Sequence, residues 1–356
     1  MVNTGEFVDM LETLGYKEFC GVPCSNLTYL INELCNRGMY TPYYNEGDAV
    51  AYAAGQYLSG QRRVGILLQN SGLTNALSPL TSLTSIYRIP ILMIIGDRGD
   101  KQTGSETKYD EPQHRYVGKF TRDLIDIGFD GRDLSVIKEK GQTASVERFD
   151  PDHNIVFLVE SKDSFTEVKL IETRSKECEL TLKDIIDGID RVRDKDTVLV
   201  TTTGYTSRIA YMDHRPTNFY VVGSMGCAYS VGRGMAVANR KKKVIVLDGD
   251  GSVLMRPSAV MTGDAPKNLY HIVAVNGTHN STGGQSLGRS CYDKIRNLLK
   301  EYGYTETAET AEFVKGINTG SGAVLRISNE VPKDLPRPKE SLDQLRDRFM
   351  TETADR

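Results

Sequence analysis

No apolar stretch of this 356-residue sequence approaches the ~18 residues of a membrane-spanning helix. The N-terminus, MVNTGEFVDMLETLGYKEF, reads as an amphipathic helix carrying acids, without the positive leader and unbroken apolar core of a secretory signal. Charge of one sign is not in excess either: 44 Lys and Arg stand against 47 Asp and Glu, so no basic field invites nucleic acid or anionic lipid. The six cysteines (Cys20, Cys24, Cys35, Cys178, Cys227, Cys291) form no C-x-x-C pair, which removes the usual zinc and redox motifs. Short-period repeats and low-complexity tracts are missing. So is a convincing Ser-His-Asp set, in a chain with only five histidines. The glycine-bearing segment GCAYSVGRG (226–234) has neither the G-x-G-x-x-G spacing of a dinucleotide site nor a strand running into it. These absences lead us to expect a reduced, cytoplasmic protein that binds neither nucleic acid nor membrane.

What is present is an alternation of short aliphatic runs with helical patterns. The first half offers 17–23, 63–69, 89–96 and 154–160; the second offers 197–203, 218–223, 243–249, 270–276 and 323–329. The runs are continuous rather than alternating, as in parallel strands covered on both faces. Segments rich in small residues between them (47–60 and 226–239) suit helices lying close to a sheet. The expected fold class is α/β, with two tandem parallel-sheet domains spanning 1–172 and 180–356. The break falls in the polar ETRSKECELT (172–181), a helix over 182–193 opens the second domain, and a proline-rich tether and terminal helix close it.

Two strand ends carry oxygen ligands. VIVLDGDGSVLM (244–255) stops being aliphatic at Asp248 and continues Gly249-Asp250-Gly251-Ser252, and a second run ends at Asn276-Gly277, with Asn276 26 positions after Asp250. That is about one strand–helix–strand crossover, so the two side chains can stand side by side beyond the carboxyl ends of a parallel sheet. An oxygen-only set suits Mg²⁺ or Ca²⁺ rather than zinc or copper, and few protein ligands leave room for phosphate oxygens. Gly249, Gly251 and Gly277 would let backbone approach that phosphate. For Gly249-Asp250-Gly251 alone, an ordinary Asp-Gly turn serves equally well.

The spacing resembles the thiamine diphosphate motif, in which Mg²⁺ anchors the cofactor's diphosphate. The resemblance implies Asp250 and Asn276 as side-chain metal ligands, Thr278 as a carbonyl ligand, and Gly249, Gly251 and Ser252 beside the diphosphate. VVGSMGCAYSVGRGMA (221–236) is similar to the segment preceding that motif, with Met225 propping the bent cofactor; by itself Met225 reads as core. Such enzymes need a glutamate from a pyrimidine-binding domain, and Glu46 in YYNEGDAVAYAAGQYLSG (43–60) stands where the family has it. An acid at a helix start is also favoured by the helix dipole alone. Asn70 and Ser71 would line the pyrimidine site, and Thr203 and Gly204 the diphosphate.

GVPCSNLTYLINEL (21–34), LLQNSGLTNALSPLTSL (67–83), IPILMIIGDRGD (89–100) and DEPQHRYVG (110–118) follow in order, as in the phosphonopyruvate decarboxylases and, less closely, the sulfopyruvate decarboxylases. That implies a pyrimidine-binding domain, then a diphosphate-binding one, with thiamine diphosphate and Mg²⁺ as cofactors. The implied substrate is a small 2-oxo acid, 3-phosphonopyruvate, or alternatively sulfopyruvate or another 3-substituted pyruvate; a cofactor-binding homologue without turnover is the remaining alternative. The resemblance implies Glu46, through the cofactor's pyrimidine, and His114 as catalytic residues, and Arg98 and His114 as the first candidates to bind the phosphonate, with Gln113 and His279 behind them. His153, His214 and His271 receive no role. The chain departs from the family pattern at Cys24, where aspartate is usual and which we expect at the substrate wall, at Cys227, where histidine is usual, and at Gly232-Arg233-Gly234. The family places active sites between chains, implying a homodimer or higher homo-oligomer.

Overall fold

The computed structural model describes residues 1–99, 112–129, 132–137, 149–171, 178–288, 290–317 and 322–354. Asp110 and Glu111 of the DEPQH motif and most of the expected domain break therefore lie outside the described residues. The chain forms two compact units, Met1–Thr173 with His279–Gln285, and Arg174–Thr278 with Ser286–Arg356. Uninterrupted tandem domains were expected; instead, seven residues of the second half belong to the first unit. They are held there by Thr28 Oγ1, which donates to the Thr282 carbonyl (3.0 Å), and by Gln285 Nε2, which donates to Asn32 Oδ1 (3.2 Å).

The first unit is built on six strands: β1 (Tyr16–Gly21), β2 (Tyr40–Pro42), β3 (Arg63–Gln69), β4 (Leu92–Gly96), β5 (Arg132–Ile137) and β6 (Asn154–Val159). All are parallel, in the order β2-β1-β3-β4-β6-β5. The second is built on β7 (Thr197–Thr201), β8 (Asn218–Tyr220), β9 (Lys243–Gly249) and β10 (Leu269–Val275). After the two-residue strands β11 (Thr278–His279) and β12 (Gln285–Ser286), β13 (Tyr304–Thr307) and β14 (Gly322–Arg326) complete it. Its order is β13-β14-β10-β9-β7-β8, again all parallel.

Successive side chains of a strand point to opposite faces, so a strand with two covered faces must be apolar throughout. On β3 and β4, Ile66, Leu68, Met93 and Ile95 join one buried cluster, while Leu67, Leu92 and Ile94 join another. Three strands carry no such run: β2 (YTP), β5 (RDLSVI) and β13 (YTET). Each is the edge of its sheet, where short and polar strands avoid stray pairing. Helices α1 (Thr4–Thr13) and α2 (Thr28–Asn36) bury Phe7, Leu11, Leu30 and Ile31 in the second cluster; α3 (Glu46–Gly60) and α4 (Leu73–Pro79) bury Ala49, Ala53 and Ala76 in the first. Next come α5 (Pro112–Gly118) and α6 (Thr121–Gly128), then α7 (Leu182–Val192), α8 (Tyr205–Met212) and α9 (Ala228–Ala238) in the second unit. The departure at Gly232 has a packing reason: a Cβ there would stand 2.2 Å from Val246 Cγ2, so glycine lets α9 lie on β9. Among the described residues, no helix is long and apolar enough to cross a membrane.

Candidate active site

In open α/β sheets, ligands collect beyond the carboxyl ends of the strands where the chain reverses direction across the sheet. In the second unit that point lies between β7 and β9. Thr203 and Gly204 follow β7; Gly249 ends β9, and α10 (Asp250–Met255) begins at the next residue. The pairing of Gly249 with Ala274 brings Asp250 beside the end of β10. There Asp250 Oδ2 accepts the N–H of Asn276 (3.0 Å) and of Gly277 (2.7 Å), and Oδ1 accepts that of Gly251 (2.7 Å). Asn276 Oδ1 takes the Thr278 N–H at 3.0 Å. Gly277 has φ +74°, a conformation that favours glycine. Burial pushes the Asp250 carboxyl up to about 6, against the pull of the Gly277, Gly251 and Asn276 N–H groups.

The neighbouring acid does something else. Asp248 is buried, its Oδ1 accepts the Gly249 N–H at 3.1 Å, and its Oδ2 stands 3.6 Å from His271 Nε2. His271 Nδ1 in turn lies 2.7 Å from the Tyr304 hydroxyl. This buried chain joins β9, β10 and β13, and it explains why the strand ends in two acids. Ser252 is also a tie: its Oγ accepts from Thr202 Oγ1 and from the Gly226 N–H, both at 3.0 Å. Thr203 Oγ1 donates to the Val222 carbonyl (3.0 Å), and Gly204 has φ +85° at the start of α8. Met225 is half-buried in the tight turn leading to Gly226.

In the first unit the reversal lies between β1 and β3. Glu46 is the first residue of α3, capped by Asn45 Oδ1, which accepts the Gly47 N–H at 2.8 Å. It is 5% exposed, and its Oε2 accepts from Asn75 Nδ2 at 2.8 Å. Its other oxygen lies against Gly72, where a Cβ would come within 2.4 Å. Asn75 and Gly72 were not singled out from sequence, although both lie in the stretch 67–83. Around the ends of β1, β3 and β4, Arg98 Nη1 donates to Ser25 Oγ (2.8 Å), and Gln69 Nε2 donates to Ser71 Oγ (2.6 Å) and faces His114 Nδ1 at 3.4 Å. Gly99, at φ +79°, lies so near the His114 carbonyl that a Cβ would approach it to 2.1 Å, which sets α5 on the turn after β4. Gln113, beside His114 on α5, is half-buried.

Cys24 is fully buried with Phe7, Leu27 and Leu67, its Sγ filling the space at Gly96 where a Cβ would come within 2.4 Å. Asn70 is fully buried and spends its amide on structure. Nδ2 donates to the Arg98 carbonyl (2.8 Å), Thr121 Oγ1 (2.9 Å) and Asp97 Oδ1 (3.3 Å), tying three segments. His279 is buried with no hydrogen bond to Nε2, and burial lowers it to about 4. It can donate or accept one hydrogen bond near neutrality but carries no charge to a phosphonate.

Two parallel-sheet units with candidate ligands at both reversal points define a class, and family models agree. The description "Thiamine pyrophosphate enzyme, N-terminal TPP binding domain" matches residues 4–117, and "Thiamine pyrophosphate enzyme, C-terminal TPP binding domain" matches 201–337. The phosphonopyruvate decarboxylase of Streptomyces viridochromogenes is 35% identical over 319 residues, covering 82% of this chain and 78% of its own. That of Streptomyces hygroscopicus is 35% identical over 82% of this chain and 77% of its own. A sulfopyruvate decarboxylase of Methanosarcina acetivorans is 26% identical over 85% and 83%. The chain belongs to the phosphonopyruvate decarboxylase family of thiamine pyrophosphate enzymes, carboxy-lyases that use Mg²⁺ as the partner metal for the diphosphate.

The residues present fit that group. Among the described residues no set of three or more His, Cys, Asp or Glu side chains could hold a metal, so a soft or zinc-type centre is not built. The donors gathered at the β9 and β10 ends are carboxylate, amide and carbonyl oxygens, which suit Mg²⁺. A carboxylate as buried as Asp250 gains from a cation beside it. Gly249 has ordinary φ, −109°, and a Cβ there would meet nothing within 4 Å. Neither backbone nor neighbours demand glycine at this position, which leaves room for a ligand.

Proposed function

We propose that the chain decarboxylates 3-phosphonopyruvate to phosphonoacetaldehyde and CO₂, a proton taking the place of CO₂ on the former keto carbon. The likeness to two phosphonopyruvate decarboxylases over most of the chain carries this reading. Bound thiamine diphosphate supplies the nucleophile and electron sink that loss of CO₂ from a 2-oxo acid requires. The chain's own residues bind, orient and move protons. Asp250, Asn276 and the Thr278 carbonyl would hold Mg²⁺, while Gly249, Gly251, Thr203 and Gly204 would let backbone approach the diphosphate. Glu46, fixed by Asn75 and seated against Gly72, would hold a proton toward the aminopyrimidine when the cofactor is bound. Met225 supports the cofactor from the turn before α9. Arg98 grips phosphonate oxygens with charge-assisted hydrogen bonds, and His114, Gln113 and His279 add further donors.

The remaining expectations join this proposal: a cytoplasmic enzyme of phosphonate biosynthesis, working as at least a homodimer. Phosphorus NMR of the protein with Mg²⁺, thiamine diphosphate and phosphonopyruvate, leaving out cofactor and metal in turn, tests it. Phosphonoacetaldehyde should form only when both are present. Sound fold and bound cofactor without conversion would reject the substrate; turnover of sulfopyruvate instead would favour the third relative's chemistry.

A further inference from the structure

Gln69 has no place in the function proposed above, yet it stands at the reversal point of the first unit among residues that do. Its amide touches three groups from three segments. Nε2 donates to Ser71 Oγ at 2.6 Å and faces His114 Nδ1 at 3.4 Å, and Oε1 lies 3.8 Å from Cys24 Sγ. The two ends of the amide are not interchangeable. A thiol is a weak donor and a poorer acceptor, so the buried Cys24 S–H calls for the carbonyl end. That leaves the two N–H hydrogens for Ser71 and His114. A ring nitrogen facing an N–H must carry a lone pair, and in a neutral imidazole the proton then sits on the other nitrogen.

We propose that Gln69 is a positioning residue for His114: it holds the ring in the Nε2–H tautomer, so that the substrate's oxyanions meet a hydrogen-bond donor. Cys24 acts at one remove by locking the amide. The substrate clause rests on the function proposed above; the tautomer does not.

The test is long-range proton–nitrogen correlation on protein labelled with [¹⁵N]histidine, at a pH where its imidazoles are neutral, with His114 identified by signals lost in His114→Gln. In the parent, Nδ1 should show the shift of a bare ring nitrogen and Nε2 that of a protonated one. Gln69→Glu keeps the shape and offers Nδ1 an acceptor, so the pattern should invert. Gln69→Leu offers neither, and the two shifts should move together. In Gln69→Leu, KM for phosphonopyruvate should rise about fivefold, the size of one neutral hydrogen bond, with kcat less affected. A protonated Nδ1 in the parent, or an unchanged pattern in Gln69→Glu, overturns the proposal even if Gln69→Leu does not fold. If phosphonopyruvate is not turned over, the functional reading fails while the NMR result still decides the tautomer.

Discussion

The candidate sites of the two units are assembled in opposite ways. In the second unit the ligands sit on the ends of two paired neighbours, β9 and β10, and Asp250 is bonded to the backbone of the loop that carries the other two. In the first unit the groups come from β1, β3, β4, α3 and α5, and they are held by Asn70, Asn75 and contacts at Gly72 and Gly99. One half is a local motif whose spacing shows in the chain. The other is a gathering of loops whose geometry depends on residues that touch no ligand.

That contrast can be broken by substitution. The largest effect on cofactor binding should come from Asp250→Asn, which removes the charge and turns an N–H toward the N–H groups of Asn276 or Gly277. Calorimetric titration with thiamine diphosphate in Mg²⁺ should show affinity lower by roughly 100-fold or more. A change under threefold would dissociate the motif from the metal. Glu46→Gln should separate the halves: cofactor affinity should stay within about tenfold, while kcat falls roughly 10²–10⁴-fold, as expected for a lost acid–base group. Unchanged kcat would remove Glu46 from the chemistry.

A smaller effect sharpens the comparison. Gly72→Ala drives a Cβ into the Glu46 carboxylate, so it should lower both thermal stability and kcat, by about 1–3 kcal/mol in stability for overpacking. Gly249→Ala meets no protein atom, so its melting temperature should match the parent's while cofactor affinity falls about tenfold, as a methyl enters the ligand's space. Equal behaviour of the two alanine variants in melting and titration would show that the open space at Gly249 is not a ligand's.

The nine aliphatic runs mark covered strands because two-sided burial forces continuous apolar sequence, and the Asp250–Asn276 spacing follows from a single crossover. Both are local consequences of the chain, and so is the placing of Glu46 at a helix start after Asn45. The edge strands β2, β5 and β13 were not legible, since they are short or polar and carry no apolar run, unlike the fourth edge, β8, which opens the run 218–223. Nor could sequence show that Asp248 pairs with His271 while Asp250 turns to the loop, because two acids two residues apart look alike until the strand ends between them. Cys24 and Asn70 sit inside matching motifs, but only packing shows that one fills core and the other ties three segments. Gly72 and Gln69 gain their meaning from what lies within a few ångströms of them, from segments distant in the chain. Sequence alone determined where the covered strands run and where the carboxylate and amide oxygens fall along the chain, because periodicity and spacing are properties of the chain. Which of those polar groups is buried as a tie and which is left for a ligand was decided by tertiary structure, because burial depends on what the rest of the chain brings alongside.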